Sequence, residues 1–183
     1  MVPNISPSPS IPVIETERLR LRGFAAADKP AYGAMRADPD VVRFLVGGEA
    51  LIPFAQEIAE SRIRAFREAW SNGFGVWAVE EKITGRLLGQ TGLARLERSN
   101  DVEILYAFAR HAWGNGYARE AARAALAFGF ETVGLSRIVA FVVAENTASA
   151  RVLEAIGLTG QGETTYGGFP VLSYAITADE WQA

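Results

Sequence analysis

Hydrophobic and polar residues alternate along several segments of the chain, and this pattern predicts a β-sheet. The segment ETERLRLRGF, residues 15–24, places Leu19 and Leu21 between arginines, which predicts a strand with one solvated face. Residues 101–109, DVEILYAFA, alternate in the same way, and Glu103 falls on the face opposite the larger apolar side chains. The nearly uninterrupted apolar run RIVAFVVA is typical of an interior strand that is buried on both faces.

Other segments repeat their apolar residues at helical spacing. Residues 117–132 predict a helix whose apolar face carries Ala118, Ala122, Leu126 and Phe130. The segment ENTASARVLEAIG predicts a second helix, which starts near Asn146 and ends at Gly157. Two earlier helices are predicted, one between an N-cap at Asp28 and the DPD at 38–40, the other starting at Pro53.

The order of these elements indicates the fold class. A hairpin formed by VWAVEE and LLGQTGLARLE precedes the strand at 101–109, and two short strands at 158–166 and 170–176 close the chain. The predicted order is β-α-α-β-β-β-α-β-α-β-β, a mixed sheet with helices packed against it in one α+β domain over residues 13–183. Residues 1–12 carry four prolines and are predicted to form a disordered tail.

Composition excludes several classes of site. The chain of 183 residues has no cysteine and one histidine, which excludes a thiol nucleophile, a disulfide framework and a metal site built on several histidines. Its net charge of −3 disfavours a general nucleic-acid binder. No apolar run reaches the roughly 18 residues of a membrane helix, and the N-terminus lacks a secretory pattern, so we expect no membrane partner and a cytoplasmic location.

The segment WGNGYARE, residues 113–120, places two glycines directly before the predicted helix. Strand, glycine loop and helix N-terminus together can bind an anion, although the glycines can equally serve only to make a tight turn. The residues after the last glycine fit neither a P-loop nor a dinucleotide-binding fingerprint. Three nearby arginines, Arg110, Arg119 and Arg123, indicate a ligand with several phosphates.

WGNGYA resembles the pyrophosphate loop of the GNAT superfamily of acyl-CoA-dependent N-acyltransferases. Gly116 and Ala118 fill the small positions of that loop, and Trp113 replaces its usual leading Gln or Arg. The same replacement occurs in the branch of the ribosomal-protein alanine and serine N-acetyltransferases, which ETERLRLR, YARE and ENTASARVLEAIGL also resemble. The similarity runs from Glu15 to Thr177 and implies a mostly antiparallel sheet flanked by about four helices.

The resemblance implies transfer of an acetyl group from acetyl-CoA to a primary amine by direct attack in a ternary complex, without a metal. Such a reaction needs no acyl-enzyme, in agreement with the absence of cysteine. The acceptor would be a small-molecule amine or a protein N-terminus, and the few carboxylates near the expected acceptor groove favour one of these over a polycation. The alternative is a non-catalytic acyl-CoA-binding regulatory module on the same fold. An exposed sheet edge also allows a homodimer.

The resemblance also assigns residues to the donor. Backbone groups of Tyr106, Ala107 and Phe108 would pair with the pantetheine arm. The amides of the loop would hold the pyrophosphate; these are Gly114, Asn115, Gly116, Tyr117, Ala118 and Arg119. Asn146 would contact the CoA arm, and the hydroxyl of Ser149 would face the thioester sulfur; their alternative role is helix capping. Leu153 occupies the position where many members of the superfamily carry a tyrosine acid.

Glu103 is the candidate general base. A carboxylate that shares a strand face with apolar residues has a raised pKa if it is partly buried, which suits it to accept a proton near neutral pH. A solvated charge is the alternative interpretation, and water chains or Tyr106 are alternative bases. The single histidine, His111, is expected to be an exposed loop residue without a role.

Overall fold

The computed structural model describes residues 10–45, 47–97 and 99–181. Its strands are β1 (Ile14–Glu15), β2 (Leu19–Arg22), β3 (Val76–Glu81), β4 (Leu87–Arg95), β5 (Val102–Phe108), β6 (Arg137–Val142), β7 (Thr159–Tyr166) and β8 (Phe169–Thr177). Its α-helices are α1 (Lys29–Arg36), α2 (Pro39–Val42), α3 (Ala55–Ala69), α4 (Tyr117–Ala127) and α5 (Thr147–Ala155). Most of the predicted tail, residues 1–9, lies outside the described residues, and the domain limits stay a prediction.

The eight strands form one sheet in the order β1-β2-β3-β4-β5-β6-β8-β7. Neighbouring strands are antiparallel except β5 and β6, which are parallel. The structure therefore confirms a mixed, mostly antiparallel sheet in an α+β domain. The described residues form five α-helices, where about four were expected, because Asp38 caps an additional single turn, α2, by accepting a hydrogen bond from the N–H of Asp40.

Three local predictions need adjustment. The strand predicted at 15–24 is two strands, because the chain turns where the N–H of Thr16 donates to the carbonyl of Leu19. Pro53 lies within a 3-10 segment, and α3 begins two residues later at Ala55. Asp28 precedes α1, but its carboxylate accepts from the N–H of Ala25 and from Arg22 rather than capping that helix.

Helices cover both faces of the sheet. On one face, α1 and α3 bury Tyr32 and Ile63 against Ala78. On the other, α4 and α5 bury Leu126 and Leu153 together with strand residues such as Ile138 and Trp77. Complete burial of one such aliphatic side chain contributes about 1.5–3 kcal/mol, so packing on both faces fixes where each helix sits.

The parallel strands β5 and β6 separate at the centre of the sheet. They pair only at Val102 with Ile138 and at Glu103 with Val139. Beyond Glu103, β5 stays paired with β4 as far as Phe108, while β6 stays paired with β8 as far as Val142. A gap therefore opens between the two central strands, directly before the loop that leads into α4.

Candidate functional site

The gap between β5 and β6 forms a cleft of about 650 Å³. Strands β5 and β6 and helix α5 line it, together with residues of the β7–β8 hairpin, of α1 and α3, and of the segment after α2. It brings together five of the candidate site residues, namely Glu103, Tyr106, Ala107, Asn146 and Ser149. Phe108 is buried at the end of β5, and the glycine loop lies outside the lining of the cleft, at the start of α4.

The backbone of β5 offers hydrogen-bonding groups to this gap. The N–H of Ala109 donates to the carbonyl of Leu88 on β4 at 2.8 Å, and residues of a strand direct these groups to alternate sides. Tyr106 and Phe108 therefore direct their backbone groups away from β4, whereas Ala107 faces its partner Gln90. Of the three residues predicted to pair with a ligand arm, Tyr106 and Phe108 have the required direction.

The carbonyl of Phe108 already has one partner. The indole N–H of Trp113 donates to it at 2.8 Å. Trp113 thus ties the end of β5 to the beginning of the glycine loop, which gives a structural role to the residue that departs from the usual loop pattern. A carbonyl oxygen has a second lone pair, so this bond leaves Phe108 able to accept another donor.

The glycine loop requires glycine for its backbone angles and leaves room beside them. Gly114 and Gly116 both have a φ of +76°, a region that other residues rarely adopt. A Cβ on Gly114 would have no atom within 4 Å, and one on Gly116 would have only Nη2 of Arg18, at 3.5 Å. Crowding by protein atoms therefore does not explain the two glycines, and the outer side of the loop is open to an incoming group.

Gly116 is the N-cap of α4, so the first helical N–H groups belong to Tyr117, Ala118 and Arg119. The first N–H groups of any helix have no acceptor within the helix and carry the positive end of its dipole. Together with the open loop, they form an arrangement that suits a phosphate. The sequence alone left an anion site and a plain turn equally possible, and the open geometry favours the anion site.

Arg18 braces this loop, a role that the sequence did not reveal. Its Nη1 donates to the carbonyl of Asn115 at 2.8 Å, and its Nη2 lies 2.6 Å from Oε2 of Glu120. The hydroxyl of Thr16 donates to the other oxygen of Glu120. The segments ETERLRLR and YARE, which resemble the same family, thus meet in space through Arg18 and Glu120.

The predicted arginine cluster is dispersed in the structure. Arg110 pairs with Asp40, and the guanidinium of Arg123 lies 5.0 Å from the ring centre of Trp181. Arg119 is exposed at the start of α4. Two of the three arginines therefore contact residues outside the loop, and Arg119 is the member of the predicted cluster that lies at the start of α4.

Ser149 is held at the edge of the cleft by two residues. Its hydroxyl oxygen lies 2.9 Å from that of Tyr106, and the Tyr106 hydroxyl also lies 3.0 Å from the carbonyl oxygen of Ser149. The side-chain oxygen of Asn146 accepts from the N–H of Ser149 at 3.1 Å, which caps α5. Burial raises the pKa of Tyr106 to about 12, so this tyrosine is a neutral donor near pH 7.

Glu103 lies half-buried in the same cleft, next to a tyrosine from the closing hairpin. The hydroxyl of Tyr166 donates to Oε2 of Glu103 at 3.0 Å. Burial raises the pKa of the Glu103 carboxyl to about 7, although the hydrogen bond from Tyr166 opposes the shift. The ring of Tyr166 is stacked on Phe141, with 4.6 Å between ring centres, and this contact fixes its position.

The remaining expectations from the sequence concern the single histidine, a metal site and a membrane helix. His111 is exposed in the loop before the glycines. Across residues 10–45, 47–97 and 99–181, no group of three or more His, Asp or Glu side chains is placed to hold a metal ion. Within these same ranges, none of the helices has the length and apolar character needed to cross a membrane.

Comparison with known proteins identifies the family. The family model of the acetyltransferase (GNAT) domain matches residues 18–159. The chain is 33% identical over 153 residues to the uncharacterized N-acetyltransferase YoaA of Bacillus subtilis (strain 168), a match that covers 82% of this chain and 85% of YoaA.

Solved structures agree with this assignment. An acetyltransferase from Agrobacterium tumefaciens str. C58 superimposes with a TM-score of 0.78 at 31% identity, covering 91% of this chain and 95% of that one. Mycobacterium smegmatis RimJ, solved in complex with CoA-disulfide, has a TM-score of 0.73 at 26% identity, covering 88% and 83%. The match to RimJ confirms the resemblance to the ribosomal-protein acetyltransferase branch.

Proposed function

The chain belongs to the GNAT acetyltransferase family, and from this membership we propose that it transfers an acetyl group from acetyl-CoA to a primary amine of a small molecule or a peptide N-terminus. One observation carries the proposal. A single cleft contains both a half-buried carboxyl, Glu103, whose pKa is raised to about 7, and a hydroxyl, Ser149, that a tyrosine and a helix cap hold in place. These are the two proton-transfer groups that an amine and a thiolate leaving group require.

The residues present suit a CoA donor. The open loop at Gly114 and Gly116 and the first N–H groups of α4 would hold the pyrophosphate. The backbone groups of Tyr106 and Phe108 that face the gap would pair with the amides of the pantetheine arm, as an added strand does. Asn146 lines the same cleft and would contact the arm. When bound, acetyl-CoA supplies the acetyl group and a thiol as leaving group.

The carboxylate of Glu103 would remove a proton from the acceptor ammonium, directly or through a water molecule. The amine nitrogen then attacks the thioester carbon, so that a C–N bond forms as the C–S bond breaks, and the nitrogen loses its second proton to solvent to give the neutral amide. The ionised fraction of Glu103 is substantial near neutral pH because its pKa is about 7. A base with this pKa combines the correct protonation state with a useful affinity for the proton.

Ser149 would donate a hydrogen bond or a proton to the departing sulfur. Its hydroxyl can donate in this direction when the single proton of the Tyr106 hydroxyl is turned to Ser149 Oγ, 2.9 Å away, rather than to the carbonyl oxygen of Ser149 at 3.0 Å. Leu153 is buried one helical turn further on and has no proton to give, so the tyrosine acid used by many members of the superfamily has no counterpart at this position. The proton that Ser149 gives up would be replaced through Tyr106 or solvent.

The test combines ligand binding with turnover. The melting temperature would be measured with acetyl-CoA, CoA, ATP and NADH in parallel, because a ligand that binds only the folded state stabilises by about 2.7 kcal/mol at a hundredfold excess over its dissociation constant. Release of CoA would then be followed with a thiol reagent, which reports only CoA because the chain has no cysteine. Stabilisation by CoA species with amine-dependent thiol release supports the proposal.

Two results would contradict it. Stabilisation by CoA species without thiol release on any amine would indicate a non-catalytic acyl-CoA-binding module. The absence of any shift with CoA species would remove the donor assignment itself and leave WGNGYARE as a structural turn.

A further inference from the structure

The cleft is positively charged, although the chain as a whole carries a net charge of −3. Among the described residues that line it, the charged ones are Arg36, Arg43 and Arg62 and a single carboxylate, Glu103. Since the pKa of Glu103 is about 7, that carboxylate is only partly ionised at neutral pH. A cleft built solely to attract a cationic amine would carry the opposite balance of charge.

Arg36 is the unusual member of this group. It is 4% exposed at the end of α1, and its Nε is buried without a hydrogen-bond partner in the part of the chain that the structure describes. Neither Arg36 nor Arg62 forms an ion pair with any of the described residues.

This arrangement opposes folding rather than supporting it. Burial and the neighbouring Arg62 both lower the pKa of Arg36, which means that the surroundings disfavour its charge. A buried guanidinium normally requires a carboxylate partner, and a missing partner leaves its desolvation uncompensated. Two adjacent arginines without an anion are therefore a binding site for one, with the cleft giving access to it.

The phosphates of the donor do not fit this position. Arg36 and Arg62 lie on α1 and α3, which cover one face of the sheet, whereas the glycine loop begins α4 on the opposite face. The donor pyrophosphate has its own set of N–H groups there. The anion that reaches Arg36 and Arg62 must therefore belong to the second substrate.

We propose that the acceptor is a primary amine that also carries a carboxylate, as an amino acid does, and that Arg36 and Arg62 bind this carboxylate while the amine lies at Glu103. This inference rests on the proposed function, since it names the class of acceptor for the same cleft. The planar guanidinium of an arginine matches a carboxylate through two parallel hydrogen bonds. The arginines and Glu103 would then contact opposite charges of one zwitterionic molecule.

The experiment compares acceptors that differ only in the carboxylate. Thiol release would be measured with pairs such as phenylalanine and phenethylamine, or lysine and cadaverine, and with a short C-terminally amidated peptide without acidic side chains as a third type of acceptor. The variants are Arg36→Met and Arg62→Met, which keep much of the apolar stem and remove the charge. Arg64→Met is the matched control, because Arg64 lies on the same helix as Arg62, is exposed and does not line the cleft.

We expect the carboxylate-bearing member of a pair to have a kcat/KM at least about tenfold higher, the size of a charged hydrogen bond lost from a site. Arg36→Met should remove this preference by raising KM for the acceptor, with KM for acetyl-CoA unchanged and the melting temperature of the free protein equal to or above that of the wild type. Arg64→Met should change none of these quantities. A purely structural role for Arg36 would instead lower the melting temperature and leave the preference intact.

Equal turnover of both members of each pair, or a preference for the peptide or cadaverine, would overturn this inference while the proposed acetyl transfer stands. If no amine is turned over, the role of the carboxylate is tested by the binding of acetylated products instead. With CoA present, N-acetylphenylalanine should raise the melting temperature of the wild type but not of Arg36→Met, and N-acetylphenethylamine should raise neither. A shift that does not depend on the carboxylate or on Arg36 would also overturn it.

Discussion

The hydroxyl of Tyr106 contacts Ser149 at two atoms, lying 2.9 Å from its Oγ and 3.0 Å from its carbonyl oxygen. The tyrosine belongs to β5 and the serine to the first turn of α5, so the contact joins the two elements that border the cleft. The position of the serine is therefore fixed from the strand through its hydroxyl and from its own helix through its N–H. The catalytic role proposed for Ser149 depends on this contact.

Replacement of Ser149 by alanine should lower kcat much more than it weakens donor binding. General acid catalysis contributes about 10²–10⁴-fold, so we expect kcat to fall by roughly a hundredfold, with KM for acetyl-CoA within a few-fold of the wild type. Tyr106→Phe should produce a smaller loss, because the serine remains but is no longer held. Steady-state kinetics of both variants provide the measurement, with the exposed Ser71→Ala as a control. An unaltered kcat in Ser149→Ala would show that this serine has no catalytic role and serves only as a residue of the helix.

The raised pKa of Glu103 predicts a specific pH profile. Its carboxylate form accumulates as pH rises through about 7, so kcat/KM should increase with pH up to that region and then level off. Glu103→Gln should lose this dependence as well as most of the activity. Because the acceptor amine also titrates, the informative quantity is the ratio of wild type to Glu103→Gln at each pH. A constant ratio between pH 5.5 and 8.5 would assign the proton transfer to water or to another group.

The same shift has a consequence for stability. A carboxyl whose pKa is raised in the folded state stabilises the fold when it is protonated, at a pH below its unfolded value of 4.5. That contribution is lost as pH rises from 4.5 to about 7, where the ionised group is half-buried. The melting temperature of Glu103→Gln relative to the wild type should therefore increase over this interval and stay constant above it. Thermal melts at pH 5, 6, 7 and 8 test the sign.

Sequence patterns predicted the elements but not the partners that complete the site. Period-two alternation identified β5 and placed Glu103 opposite the larger apolar residues, because side-chain alternation is a local property. Tyr166 lies 63 residues away from Glu103 along the chain, and only the register of the closing hairpin brings the two together. No local signal encodes that register. The contact between Tyr166 and Glu103 therefore could not be predicted from the sequence.

The arginines show that closeness in sequence does not predict closeness in the structure. Proximity in sequence suggested that Arg110, Arg119 and Arg123 form one cluster, but Arg110 pairs with Asp40 on α2. Arg36 and Arg62, separated by 26 residues of sequence, lie close enough for their charges to interact. Long side chains reach partners across elements, so their grouping depends on how the helices pack.

Gly116→Val should remove donor binding because the valine side chain would occupy the place of the pyrophosphate. A second glycine with the same backbone conformation, Gly134, separates this effect from the effect of backbone strain. Both Gly116, with a φ of +76°, and Gly134, with a φ of +75°, adopt a left-handed conformation that costs other residues about 1–2 kcal/mol or more. Gly134 follows α4 and its π-helical extension, outside the loop, and a Cβ there would contact nothing within 4 Å. Both valine variants should therefore lose comparable stability, but only Gly116→Val should lose affinity for acetyl-CoA. Equal affinities in isothermal titration would reject the loop as the pyrophosphate site.

Asn146 caps α5 and lines the cleft, so its replacement by alanine should affect both stability and turnover. Loss of an N-cap typically costs about 1 kcal/mol, and Asp38→Ala, which removes the cap of α2, serves as the reference for that cost. Asn146 accepts the N–H of Ser149 at 3.1 Å, whereas Asp38 does not line the cleft. We therefore expect similar losses of unfolding free energy in the two variants, but a lower kcat and a weaker affinity for CoA only in Asn146→Ala. Chemical denaturation and kinetics on the same samples separate these effects, and a kcat that falls equally in both variants would show that lost stability, not the position of Ser149, limits the reaction.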